Sequence, residues 1–424
     1  MLQTIRTKLQ RLGRDTRGNV LLMAAAGMTG MVGAAGVGVD TVQWYLWKRQ
    51  LQQAVDSGAL AGALSATQGY GYDQPARDEV TRTSNQTFTV DRVSSPPQSG
   101  SFAGDTSAIE VVATTQQTLP FTGVFLANAP RITARAVATK VAAGTPCVQS
   151  LAKGGIGIDV SGSALADVDC PVSSNSNGGV SIDIGGSSKL TSDLIMSVGG
   201  INYGSENVPG DAAVVPYGLA VEDPLASRGL KAPAAPGNCH ATNFKVLPSE
   251  TVTLAGNKRY CNGLTLQGTA KLNGGIYIID GGSLKINSGA VVELAGTGGV
   301  TFILTGSNKN IATVSVNGGA SIDLRAPTAS ENATWAGILF YQDNSAEATH
   351  TFNGGAGIDM DGIIYMPTGN LGYNGSSSQS AQCLLIVTNR VSFSGTNKIK
   401  NDNDSCATDF TGSRSTAFVV RVVE

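Results

Sequence analysis

The stretch LKINSGAVVELAG at 284–296, echoed by VSVNGGASIDLRAP at 314–327 and TFNGGAGIDMDGIIYMP at 351–367, decides how the rest is read. Each unit is a short alternating apolar run, a Gly with a small neighbour, and a second alternating run. GIDVSGSALADVDC at 157–170 and SIDIGGSSKLTSDLIM at 181–196 repeat the scheme. Alternation is the strand period. Units that recur at short, loose spacing and are individually too small to bury a core point to stacked coils. GVTFILTG (299–306), GILFYQD (337–343) and CLLIVTNRVSFSG (383–395) are denser apolar runs for inner faces. The pattern predicts a right-handed parallel β-helix-like solenoid, with a β-sandwich of the same strands as the alternative. The segment 200–248, with prolines 209, 216, 224, 233 and 236, is too proline-rich for regular coils and reads as an excursion.

Towards the N-terminus the pattern changes. AIEVVATTQQTLPF (108–121) and RITARAVATKV (131–141) alternate as half-buried strands, and SSPPQSG (94–100) reads as a loop. Further back, Val20 to Val39 is uncharged; twenty helical residues rise about 30 Å, the thickness of a bilayer core. Lys8 and arginines 6, 11, 14 and 17 precede it with only Asp15 against them, which places the N-terminus in the cytoplasm. Trp44, Tyr45 and Trp47 stand where an interfacial belt would sit. Leu46, Leu51, Val55, Ala59 and Ala63 continue a helical face, so one helix over 19–68 is expected rather than a cleaved signal peptide or a buried soluble helix. Glycines 27, 30, 33, 36 and 38 suggest close helix approach, or simply small filler in a weak span.

The net charge is −2 with 14% charged residues, which argues against a nucleic-acid binder. Six cysteines, Cys147, Cys170, Cys239, Cys261, Cys383 and Cys406, fall in couples 23, 22 and 23 residues apart. An even count at regular spacing points to disulfides in an oxidising compartment, against buried thiols in a reducing one; 15 connectivities remain open.

RGNVLLMAAAGMTGMVGAAGVGVD (17–40) followed by LQQAVDSGALAGALS (51–65) resembles the N-terminal module of TadG-like proteins of Flp/Tad (tight adherence) pilus assembly systems. Arg17, Gly18, Asn19, Asp40, Leu51, Gln52, Ala54, Asp56, Ala59, Leu60, Ala61 and Gly62 carry the resemblance. Pseudopilins of these systems are cut after a glycine and usually have glutamate at mature position five. Counting from Gly18, that position is Met23, so the helix is expected to be retained. The Gly-rich C-terminal region also resembles domains attached to some TadG-like proteins, through LTLQGTAKLNGGIYIIDGGSLKI (264–286), GVTFILTG, WAGILFYQD and GIIYMPTGNLGYNG. That resemblance implies local clamps pairing Cys147 with Cys170, Cys239 with Cys261 and Cys383 with Cys406.

Signals for chemistry are weak. Asp359 with Asp361, and Asp167 with Asp169, share strand faces that could converge on a cation, but solvated strand carboxylates account for them more simply. His240 and His350 have no motif around them, no G-x-S-x-G elbow occurs, and no His/Cys pairs have zinc spacing. No catalytic, metal or cofactor site is therefore expected.

The expectation is a mainly β protein with a long N-terminal transmembrane α-helix. It divides into a basic cytoplasmic segment (1–18), the helix (19–68, with the transmembrane part 20–39), a small pilin-like α/β spacer (69–146) and a Gly-rich disulfide-clamped β domain (147–424). The resemblance implies a structural or assembly part of a Tad-type pilus, single-pass in the bacterial inner membrane, its β domain periplasmic or extracellular. Other Tad proteins are the implied partners. The competing readings are an envelope adhesin or glycan-binding module, and a polysaccharide-active enzyme.

Overall fold

The computed structural model describes residues 19–83, 87–126, 128–168, 170–233, 238–307, 310–343, 346–353, 358–374, 377–379, 383–399 and 415–424. Two compact units result: 1–140 with 420–424, and 141–419. The expected boundary at 146/147 thus moves to 140/141, and the last five residues, expected in the repetitive domain, belong to the first unit. In chain order the second unit is an insertion into the first.

The first unit is built on helix α1 (Asn19–Thr67), unbroken from the uncharged span into the polar sequence beyond it. A short helix α2 (Asp73–Arg82) packs against it. Strands β1 (Thr89–Ser94), β2 (Ala108–Gln116) and β3 (Arg131–Gly144) form an antiparallel meander, and the C-terminal strand Ala417–Val422 extends the sheet beside β3. Ile109, Val111 and Ala113 of β2 and Ile132, Ala134 and Ala136 of β3 join Leu51, Val55 and Ala59 of α1 in one apolar core. β2 departs from the expected half-buried strand. Its other face is covered as well, because Glu110 on it is held under an ionic network.

In the second unit, strand Gly275–Asp280 pairs in parallel with Lys258–Leu266 and with Val300–Ser307. Ser283–Ile286 pairs with the later part of Lys258–Leu266 and with Thr313–Val316. Val291–Leu294 pairs with Thr269–Leu272 and Ser321–Arg325. Among the described residues most passes of the chain add one strand to each of three parallel stacks. Within this stack, among the described residues, antiparallel pairing joins Gly306 with Ile311 and Ser307 with Asn310. The alternative β-sandwich needs antiparallel pairing and does not describe this domain.

Side chains stack in register from pass to pass. Tyr277, Phe302, Phe340, Ile364, Ile386, Val148, Val172 and Ile195 form one inward ladder, every member fully buried. The step from Ile386 to Val148 shows that stack order is not chain order. The pass at 384–399 lies between those at 358–379 and 148–168. The proline-rich segment is the return connector this order requires. Its Val221 carbonyl accepts from Gln149, Asp223 from Tyr365, Ala336 accepts from Arg228, Leu230 from Tyr341, and the His240 N–H donates to Arg259. The contacts run back along the stack, at the passes that hold Gln149, Tyr365, Tyr341 and Arg259, with other passes between them.

Candidate functional site

Helix α1 has two halves with different surfaces. Leu21, Met23, Met28 and Met31 are each more than 65% exposed, and the helix is long and apolar enough to cross a membrane. From Gly36 onward a single stripe is buried: Gly36, Asp40, Trp47, Leu51, Ala54, Val55, Gly58, Ala59, Gly62 and Ala63. Spacings of three and four keep these on one face. Trp44 and Tyr45 point outward as an interfacial belt would. Trp47, expected with them, is instead buried in the core, and Leu46, expected on the packed face, is 44% exposed. The stripe fixes this: Trp47 is four residues from Leu51, whereas Leu46 is five.

Glycines set the close approaches. A Cβ on Gly58 would lie 2.5 Å from Val80 Cγ2 and 2.9 Å from the Ala76 carbonyl; one on Gly62 would lie 3.1 Å from Ile109 Cγ2. A Cβ on Gly36 would lie 2.7 Å from the Phe121 ring. Gly27, Gly30, Gly33 and Gly38 face open space.

Of the resemblance-bearing residues, Asp40, Leu51, Ala54, Ala59 and Gly62 sit on this stripe. Leu51, Ala54 and Ala59 are fully buried, while Leu60 and Ala61 are half-buried beside them. Gln52 donates to Asp56 at 2.8 Å and to the Arg135 carbonyl at 3.0 Å, tying α1 to β3. Asp40 is 2% exposed, and its carboxylate accepts the N–H groups of Phe121 and Thr122. It caps the 3₁₀ turn Thr122–Val124 of the β2–β3 connection. Asn19 opens the helix; Arg17 and Gly18 lie outside the described residues.

Sequence reasoning missed an ionic hub at the sheet. The Glu110 side chain, fully buried, accepts from Arg92 at 2.9 Å and Arg135 at 2.5 Å, and Arg135 also reaches Glu424 at 2.7 Å. Burial alone raises the Glu110 pKa. Hydrogen bonds from Arg135, the Gln98 N–H and Arg92 outweigh it and hold the carboxyl below its usual range. Arginines at 92 and 135 on strands flanking Glu110 were the available signal.

In the second unit Cys147–Cys170 and Cys239–Cys261 are disulfides. Cys383 is disulfide-bonded too, while Cys406 lies outside the described residues. Asp359 and Asp361 share a half-buried strand face, and Asp361 accepts the Cys383 N–H at 3.0 Å. Asp167 is half-buried, and its expected partner Asp169 lies outside the described residues. Among the described residues no three His, Cys, Asp or Glu groups cluster as metal ligands. His240 is exposed and edge-on to Tyr260 at 5.7 Å. His350 is a fully buried core residue: its Nδ1 accepts the Val314 N–H, and Nε2 faces Gln342 Oε1 at 2.6 Å. An open groove on one strand face is lined by Asn243, Lys245, Asn262, Thr265, Lys285 and Asn317, all polar.

No curated protein and no solved structure matches the chain. One family model does, and it covers the helix described above rather than the parallel-stacked unit. Residues 18–66 match the putative Flp pilus-assembly TadE/G-like family, and over this segment the chain is similar to TadE/G-like proteins.

Proposed function

We propose that the protein is a membrane-anchored structural or assembly component of a Tad-type pilus system. In this reading α1 crosses the inner membrane once, its N-terminus is cytoplasmic, and the parallel-stacked unit stands in the periplasm or outside the cell as a right-handed β-helix. The first unit acts as a pilin-like spacer. The observation that carries the proposal is the division of α1: a TadE/G-like helix whose first half is apolar and exposed and whose second half is packed on its own sheet. Lys8 and the arginines before the span support the orientation, and the disulfides support an oxidising compartment. Other Tad assembly proteins are the partners, and no catalysis is assigned.

The test is deletion of the coding sequence in the source cell, followed by counting surface pili and measuring adherence, with full-length and helix-deleted chains supplied back. Restoration by the full chain alone is the expected result. Normal piliation in the deletion strain would overturn the proposal.

A second reading, an envelope adhesin or glycan-binding module, is favoured by the polar groove around Asn262, Lys285 and Asn317. Saturable binding of the purified β domain to a glycan array, lost on Lys285→Ala, supports that reading.

A further inference from the structure

The connection between β2 and β3 carries an exposed apolar tip: Phe121, Val124, Phe125 and Leu126 are 44%, 78%, 87% and 49% exposed. Four such side chains in six residues would normally be buried within a fold; here the Phe121 ring leans on Gly36 of α1, while Val124 and Phe125 stay largely open. The sequence from Val111 to Pro130 contains no charged residue.

The tip has a fixed position along α1. Asp40 accepts both Phe121 and Thr122 N–H groups, and the Phe121 ring lies against Gly36, where any side chain would collide with it. Gly36 lies one helical turn inside the end of the uncharged span 20–39. Trp44 and Tyr45, the outward aromatics, follow eight residues later, about 12 Å further along the axis. The tip is therefore level with apolar helix surface, on the membrane side of the aromatic belt.

The arrangement also accounts for Asp40. A carboxylate between Val39 and Trp44 would face lipid at a high cost if unpaired. The loop covers it and supplies two donors.

We propose that residues 121–126 form a second membrane-inserting element, a loop wedge seated in the outer lipid interface beside the anchor helix. The occupant of the patch is the bilayer, because the patch is continuous with the exposed apolar surface of α1 and lacks charge. The wedge fixes the tilt and rotation of the first unit on the membrane, which a single helix leaves free. This inference rests on the reading of α1 as a membrane anchor.

The experiment uses full-length protein in lipid nanodiscs, with single cysteines introduced by Phe125→Cys, Ala103→Cys and Met28→Cys and labelled with an environment-sensitive fluorophore. Ala103 is exposed in the β1–β2 connection, at the other end of the nine-residue β2. The expected result is quenching of the 125 and 28 probes by spin-labelled lipid and of the 103 probe by aqueous iodide. Lipid quenching at 28 with iodide quenching at 125 overturns the wedge and leaves the anchor standing. Iodide quenching at both positions overturns the anchor. Protection at 125 without lipid quenching means a protein covers the patch, and it overturns the wedge as well.

Discussion

Asp40 and Thr122 are 82 residues apart in sequence, yet the carboxylate of one caps the turn that begins at the other. This contact joins the end of the uncharged helical span to the tip of the sheet. Replacing Asp40 by Ala orphans the Phe121 and Thr122 N–H groups at a cost of about 1–3 kcal/mol. The expected outcome of Asp40→Ala is faster hydrogen exchange across residues 121–126 with unchanged exchange in β2 and β3. Unchanged exchange at the loop would remove the cap from the account.

Gly58 and Gly30 should respond in opposite ways to the same substitution. Gly58→Val drives a side chain into Val80 and the Ala76 carbonyl, so α2 separates from α1 at a cost of roughly 1–3 kcal/mol. Gly30 faces open space, and Gly30→Val costs nothing in packing. Limited proteolysis at α2 in both variants reads the difference. Equal protection would show that the close helix approach is unimportant.

Removal of residues 420–424 is expected to destabilise the N-terminal unit although they lie at the far end of the chain. The Val137 N–H bonds to the Glu424 carbonyl, and Arg135 holds the Glu424 side chain. The truncation strips a strand edge and one carboxylate from the ionic hub. The matching substitution Glu110→Ala leaves Arg92 and Arg135 facing each other without their shared carboxylate. Loss of about 1–3 kcal/mol is expected, below the full cost of a buried pair because both guanidinium groups are partly exposed. Urea unfolding followed at the N-terminal unit checks both.

His350 makes the second unit acid-sensitive. Burial lowers its pKa from 6.5 to about 4, so the folded state holds it neutral while the unfolded state protonates near 6.5. The unfolded chain binds the extra proton between those values. The associated stability is fully present above pH 6.5 and declines as pH falls towards 4, by about 3 kcal/mol in all. The pH dependence of unfolding over that window should flatten in His350→Leu, which removes the titrating imidazole. An equally steep decline in the variant would assign the acid sensitivity elsewhere.

Reduction of the two described disulfides should lower the melting temperature of the second unit without altering α1. Each closes a loop of just over twenty residues, worth about 3 kcal/mol in the chain-entropy model. Non-reducing peptide mapping must recover Cys147 linked to Cys170 and Cys239 linked to Cys261; other pairs would contradict the stacking.

The sequence by itself determined the local features. It set α1 almost to the residue, because twenty uncharged positions and a three-four stripe leave one helical solution. It set the short strands, whose alternation is visible within each run, and the family resemblance pointed to the two local disulfides. Tertiary structure alone decided which strand lies beside which. Val, Ile and Leu rungs are chemically interchangeable, so nothing local at Ile386 says that its next neighbour is Val148 rather than a residue later in the chain. Parallel pairing is non-local, and only the assembled stack buries both ends of each rung. The same holds for Asp40, Glu110 and His350, polar side chains that the alternation alone leaves unassigned. Each is buried because a partner distant in sequence arrives to satisfy it, and that arrival is a property of the fold.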